Sequence, residues 1–213
     1  MCGIAGWWQP QRHPEERQIA VAAMVRALWH RGPDAQDVVS AGEATLGVAR
    51  LAIVDRAHGH QPMARDEAVL AYNGELYNHA ELRRQLEQRG HVFRTASDTE
   101  VVLAAHATWG NDAPTRFDGM FAYALWQPAR QELLLVRDRF GKKPLYYSTR
   151  PEGIYFGSEL KCLRAAGVPT EVHTFENGVH ATGLSLNDPL KGLLPELLKT
   201  WLRVRGVVSF DIP

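Results

Sequence analysis

Two apolar runs, GMFAYALWQ and ELLLVRD, stand on either side of the short turn Pro128-Ala129-Arg130. Runs rich in β-forming residues and joined by so short a connection pair only as an antiparallel hairpin, because a parallel return needs a crossover of about a dozen residues or more. The device repeats at PLYYS and GIYFGSE, around a turn at Pro151 to Gly153. Two further segments, TLGVARLAIVD (Thr45 to Asp55) and AVLAYNGE (Ala68 to Glu75), also read as strands, each ending at a polar motif.

Helical patterns fall between these strands. From Pro14 to Trp29, Ile19, Ala22, Ala23, Val25 and Leu28 recur at helical spacing behind an N-terminal proline. Asn78 with Glu81 three residues on, and Gly90 at the far end, predict a capped helix over HAELRRQLEQR. Ser97 with Glu100 predicts another, running to about Trp109 before Gly110. Hairpins interspersed with a few helices indicate an antiparallel α+β domain, not a parallel βαβ array. RGPD (Arg31 to Asp34) reads as a loop.

Lys and Arg total 24 and Asp and Glu total 24 in 213 residues, so no overall basic field invites nucleic acid or an anionic membrane. No apolar run approaches the ~18–20 residues of a membrane span, and the start of the chain lacks the layout of a secretory signal, so the first residues are read as mature protein. Two cysteines, Cys2 and Cys162, exclude a disulfide framework and fit a reducing, cytoplasmic setting. The nine histidines show no ligand spacing, His58 and His60 included, so neither a metal nor another cofactor is expected.

The chain opens with MCGIAGWW. Removal of Met1 would leave Cys2 carrying a thiol and a free α-amino group together, and an amine of ordinary pKa ~7.7–8.0 is a suitable base near neutrality. The NGE motif offers the Asn73 side-chain amide and the Gly74 N–H as donors to an oxyanion, although Asn-Gly is also a common turn. Cys162, in SELKCLRAAG, reads as a core or helix-face thiol.

The motifs MCGIAG, HRGPD, ARLAIVD, QPM, YNGELYN, SDTEVVL, FDGMFAYALW, RDRFGKKPLYY and FGSELK occur in the order of one family. Through them, from about Cys2 to Val168, the chain resembles the class II glutamine amidotransferase domain, the N-terminal-nucleophile glutaminase half of glutamine-hydrolysing asparagine synthetases. The resemblance implies a four-layer αββα sandwich of two antiparallel sheets. It implies that Cys2 is the nucleophile and Asn73 with Gly74 the oxyanion hole. Arg50 would bind the glutamine α-carboxylate, with the main chain of Leu51, Ile53 and Val54 bordering the pocket, and Glu75 and Asp98 would hold the α-ammonium group. Arg31, Gly32 and Asp34 would be supporting residues in a loop over the site. L-Glutamine is the implied substrate, and a separate synthetase domain or a second copy of the chain is an implied partner.

The likeness stops after GVPTEV. A full asparagine synthetase would continue into an ATP-dependent domain with a Ser-Gly-Gly loop; that stretch does not occur here, so adenylation is not expected of this chain. Residues 169–213 instead resemble the end of an α/β-hydrolase of the dienelactone hydrolase type, a short strand–helix appendage with His180 in the place of the catalytic histidine. No G-x-S-x-G occurs to supply its nucleophile, so His180 is expected to be idle and the tail to pack poorly. Two readings follow: a glutaminase that forms a γ-glutamyl thioester at Cys2, or a catalytically idle remnant or subunit that needs a separate synthetase.

Overall fold

A computed structural model describes residues 1–151, 153–169 and 207–211. Ten strands form two five-stranded sheets in which the strand pairings are antiparallel. The first sheet contains β1 (Gly3–Trp8), β2 (Ala35–Ala41), β3 (Ala44–Arg50), β8 (Tyr146–Arg150) and β9 (Gly153–Gly157), in the order β2-β3-β1-β9-β8. The second contains β4 (Met63–Arg65), β5 (Ala68–Leu76), β6 (Gly119–Gln127), β7 (Glu132–Arg137) and β10 (Val207–Asp211), in the order β10-β7-β6-β5-β4. Helices α1 (Pro14–Ala27) and α4 (Leu160–Ala165) cover the outer face of the first sheet, and α2 (His79–Glu87) with α3 (Asp98–Trp109) cover the second. The four-layer α+β sandwich expected from the sequence is therefore the architecture observed.

Three apolar layers hold the four structural layers together, and the alternation of strand side chains builds them. On β6, Phe121, Tyr123 and Leu125 face α3, while Ala124 and Trp126 enter the core between the sheets. On β7, Leu134 and Val136 join the first group and Leu133 and Leu135 the second. On β1, Ile4 points between the sheets, whereas Ala5 and Trp7 pack under α1, with Trp7 stacked on Tyr155 at 4.7 Å between ring centroids. Burial on both faces is why these strands read as near-continuous apolar runs, a pattern antiparallel sheets with one wet face do not show.

Local readings held in outline and differed in detail. The first helix ends at Ala27, and Trp29–Arg31 tightens into a 3₁₀ turn. Ser97 caps α3 as expected, its Oγ accepting from the Thr99 N–H at 3.2 Å. Glu100 does not complete a capping box: its carboxylate instead accepts from the N–H groups of Arg94 and Thr95. Asn78 does not cap α2 with its side chain, which donates to the Arg116 carbonyl and accepts from the Asp118 N–H, tying the turn after β5 to the start of β6. The strand after Thr45 stops at Arg50, where the chain leaves the sheet to form the loop 51–62.

One strand of the tail, β10, lies among the described residues. It pairs with β7 from Val207↔Val136 to Asp211↔Glu132 and so satisfies backbone groups that β7 would otherwise present as an open edge. His180 and the final helix of the expected hydrolase-like segment lie outside the described residues.

Candidate active site

Neighbouring strands of the first sheet place Cys2. Because β1 runs antiparallel to β3 with Gly3 opposite Ala49, the residue before Gly3 must lie opposite Arg50 and next to Leu51. Accordingly the Leu51 N–H donates to Cys2 Sγ at 3.4 Å, and the thiol lies 3.6 Å from the Leu51 carbonyl. The end of β5 and the start of α3 arrive at the same spot from the second sheet. One pocket is thus lined by Cys2, Arg50, Leu51, Ile53 and Val54 from the first sheet and its loop, and by Asn73, Gly74, Glu75 and Asp98 from the second.

Asn73 is 1% exposed, and neither its Oδ1 nor its Nδ2 has a hydrogen-bond partner among the described residues. A buried amide with both ends unpaired is costly unless something else occupies them, and this one borders the pocket. Gly74 is glycine for a steric reason within the sheet: a Cβ there would meet the Met120 carbonyl oxygen at 2.6 Å and Phe121 Cβ at 2.7 Å.

Arg50 is buried and does two things. Its Nη2 donates to the Asp55 carbonyl at 2.8 Å and its Nη1 to the Arg56 carbonyl at 3.3 Å, which folds the loop 51–62 back over the pocket. The same loop is pinned to the turn before α3 by Asp55, whose carboxylate accepts from the Ala96 N–H at 2.8 Å. Asp98 is buried and accepts from the Leu76 N–H at 3.0 Å; burial raises its carboxyl above the ordinary value, although that bond and the nearby His79 oppose the shift. Glu75 is exposed at the pocket rim.

Arg31, Gly32 and Asp34 do not line the pocket; they brace the residues that do. Arg31 donates from Nε to the Cys2 carbonyl at 3.0 Å and from Nη1 to Glu159 at 2.9 Å. Asp34 accepts from the Ala52 N–H at 2.8 Å, and its own N–H donates to the Arg50 carbonyl at 3.1 Å. Gly32 lies so close beneath this strand end that a Cβ would fall 2.2 Å from the Ala49 carbonyl oxygen.

Burial pushes the Cys2 thiol pKa up, with the Leu51 N–H, the terminal amine and Arg50 opposing it. Burial also pushes the α-amine of Met1 down, and Arg31 and Lys143 add to that. Burial thus disfavours the charged form of each, the thiolate of Cys2 and the ammonium of Met1.

Sequence reasoning assigned no role to several lining residues that the structure brings in. Gln61 accepts from the Tyr72 N–H at 2.8 Å and donates to Thr99 Oγ1 at 3.4 Å, linking loop, strand and helix just behind Asn73 and Asp98. Met120 enters from the start of β6 and Lys143 from the loop after β7. Their signals were the QPM, FDGMFAYALW and RDRFGKKPLYY motifs, but no spacing rule told which residue of each turns inward.

Comparison with known proteins places this geometry. The glutamine amidotransferase domain family matches residues 1–182, past the expected boundary at Val168. Glutamine-hydrolyzing asparagine synthetase 3 of Bacillus subtilis (strain 168) is 40% identical over 169 residues, covering 78% of this chain and 28% of that protein. Asparagine synthetase 1 of the same organism is 36% identical over 176 residues, covering 81% and 28%. The chain thus spans 28% of the length of these curated relatives. Among solved structures, the glutamine phosphoribosylpyrophosphate amidotransferase of B. subtilis superposes with a TM-score of 0.60 at 22% identity, over 78% of this chain and 44% of that one. An allosteric regulatory enzyme of purine biosynthesis superposes at 0.61 and 21% identity, over 78% and 43%. At these identities the likeness is one of fold. The hydrolase resemblance of residues 169–213 finds no support in these matches.

Proposed function

The chain belongs to the glutamine amidotransferase domain family, and we propose that it hydrolyses the side-chain amide of glutamine with Cys2 as nucleophile. Once Met1 is removed, the Cys2 α-amine takes the thiol proton and Sγ attacks the amide carbon. The oxyanion that forms is held by the Asn73 side-chain amide and the Gly74 N–H. Collapse of the adduct breaks the C–N bond, and the α-ammonium returns its proton to the departing nitrogen, which leaves as ammonia. The γ-glutamyl thioester then reacts with a water deprotonated by the same amine, giving glutamate and the free thiol.

The substrate is held as a zwitterion. Arg50 meets the α-carboxylate with the donors it does not spend on the loop, and Glu75 and Asp98 meet the α-ammonium group. The observation that carries the reading is the buried, unpartnered Asn73 amide bordering the pocket that also holds Cys2. By likeness to the asparagine synthetases, the ammonia serves asparagine synthesis in a synthetase unit, contiguous or separate.

The test is ammonia release from glutamine by protein whose intact mass shows Met1 removed. Cys2→Ala abolishes release, and Asn73→Ala lowers kcat by roughly a hundredfold or more with little change in KM, because its donor serves a charge that develops only in the transition state. Release that survives Cys2→Ala overturns the mechanism; no release from the processed wild type leaves the idle reading.

A further inference from the structure

Two lysines stand side by side in the loop after β7, and only one of them is exposed. Lys142 faces solvent, whereas Lys143 is 2% exposed and lines the pocket that contains Cys2. Lysines are almost never buried so fully without a paired charge. Among the described residues, no ion pair within 4 Å includes Lys143. Its ammonium touches Met1 Sδ, a weak acceptor on the residue whose removal the mechanism requires.

The chain is built to keep this side chain in place. The buried Asp138 carboxylate accepts from four backbone N–H groups: Phe121 at 3.3 Å, Phe140 at 3.1 Å, Lys142 at 2.9 Å and Lys143 at 3.0 Å. Arg137 closes the loop from the other side, donating to the carbonyls of Lys143 at 2.8 Å and Gly141 at 2.7 Å. Gly141 takes a φ of +61°, and a Cβ there would press to 2.8 Å from that guanidinium. This much bonding fixes the backbone from which Lys143 enters the pocket.

We propose that Lys143 is a positioning residue for the nucleophile's charge state: with Arg31 it forms a pair of cations beside the chain terminus that holds the amine neutral and favours the thiolate of Cys2. The inference rests on the reading of Cys2 as nucleophile. The cations act in the same direction on both members of the pair, because a nearby positive charge disfavours protonation of an amine and favours ionisation of a thiol. Lys143 is electrostatically coupled to this end of the chain: burial lowers its ammonium pKa and Arg31 lowers it further, while Asp138, Glu75 and Cys2 raise it. The charged groups facing the thiol are the amine of Met1, Arg50, Asp98 and Lys143; those facing the amine of Met1 are Cys2, Arg31, Lys143 and Asp34.

The experiment follows the rate of Cys2 alkylation by iodoacetamide against pH, by peptide mass spectrometry on Met1-processed protein. Lys143→Met keeps the length and apolar stem and removes the charge; Lys143→Arg keeps the charge. The expected result is that Lys143→Met moves the midpoint of the rate profile up by about one pH unit, slowing alkylation near neutrality roughly tenfold, while Lys143→Arg stays within about twofold of wild type. An unchanged midpoint in Lys143→Met overturns the proposal, as does an equal shift in both variants, which would assign the effect to shape. This readout does not need turnover, so a wild type that releases no ammonia, yet shows the shift, would refute the glutaminase reading and leave Lys143 as inferred.

Discussion

Asp138 is the residue on which the loop that carries Lys143 into the Cys2 pocket depends, and its replacement by asparagine separates charge and bonding from shape. The two carboxylate oxygens divide their work: Oδ2 accepts from the buried N–H groups of Phe121 and Lys143, and Oδ1 from the partly buried ones of Phe140 and Lys142. An asparagine offers one acceptor, and its NH₂ must face one of the two donor pairs. The lower-energy choice turns the carbonyl to the buried pair and the NH₂ toward the pair that water can reach. Two charge-assisted bonds of ~1.5–3 kcal/mol each are then lost, partly offset by hydration, so Asp138→Asn should cost about 2–3 kcal/mol. Asp138→Ala strands all four donors and should cost about 4 kcal/mol or more. For a domain of this size the asparagine variant should melt roughly 5–10 °C lower, read by urea titration and thermal denaturation together. If Asp138→Asn falls within about 0.5 kcal/mol of wild type, or Asp138→Ala costs no more than Asp138→Asn, the four-donor account is wrong.

Two further outcomes follow from the same geometry. Arg50→Lys should raise the KM for glutamine about tenfold or more and also lower stability by about 1–2 kcal/mol, because one ammonium cannot serve both the Asp55 and Arg56 carbonyls and a planar carboxylate; a change in KM with unaltered urea midpoint would remove the loop-holding role. His106, buried between α3 and β6 with its Nε2 2.8 Å from the Tyr123 hydroxyl, has its pKa pushed down by burial to about 4. Because the unfolded chain takes up that proton near pH ~6.5 and the folded one does not until about pH 4, stability should be full above ~6.5 and fall by about 3 kcal/mol toward pH 4. His106→Gln should flatten that part of the pH–stability curve relative to wild type, and an unflattened curve would reassign the slope.

The strands buried on both faces were legible because their composition is extreme: FAYALW and LLLV leave few alternatives to a covered sheet. β2 was not legible, since AQDVVSA is an edge strand with polar side chains facing water, and β4, at three residues, is too short to show a period. The failed cap at Asn78 has a similar cause. Its side chain had a choice between the local helix N–H groups and a distant pair at Arg116 and Asp118, and only the folded chain decides which wins. The site residues were readable because they sit in ordered motifs at strand ends, where a backbone register converts position in sequence to position in space. Gln61 and Lys143 escaped because their parts in the site come from distant contacts and depth of burial, neither of which leaves a local pattern.

That register also explains how Cys2, the proposed nucleophile, is held still next to a chain end. Residues near a terminus ordinarily fray, since few contacts offset the entropy of ordering them. Here Cys2 precedes the central strand of its sheet: β1 pairs with β3 on one side and β9 on the other, and Ile4 and Ala5 are fully buried within three residues of the thiol. Arg31 fastens the Cys2 carbonyl, and the Ile4 N–H donates to Ser158 at 2.9 Å. The ordering cost is thus met by the core that the strand enters at once, and the thiol needs no loop of its own to be positioned. The same proximity to the core desolvates the thiol and raises its pKa, so the geometry that fixes Cys2 also makes it a poor nucleophile without help. In the proposed mechanism that help comes from the α-amine freed by removal of Met1 and from the cations beside it.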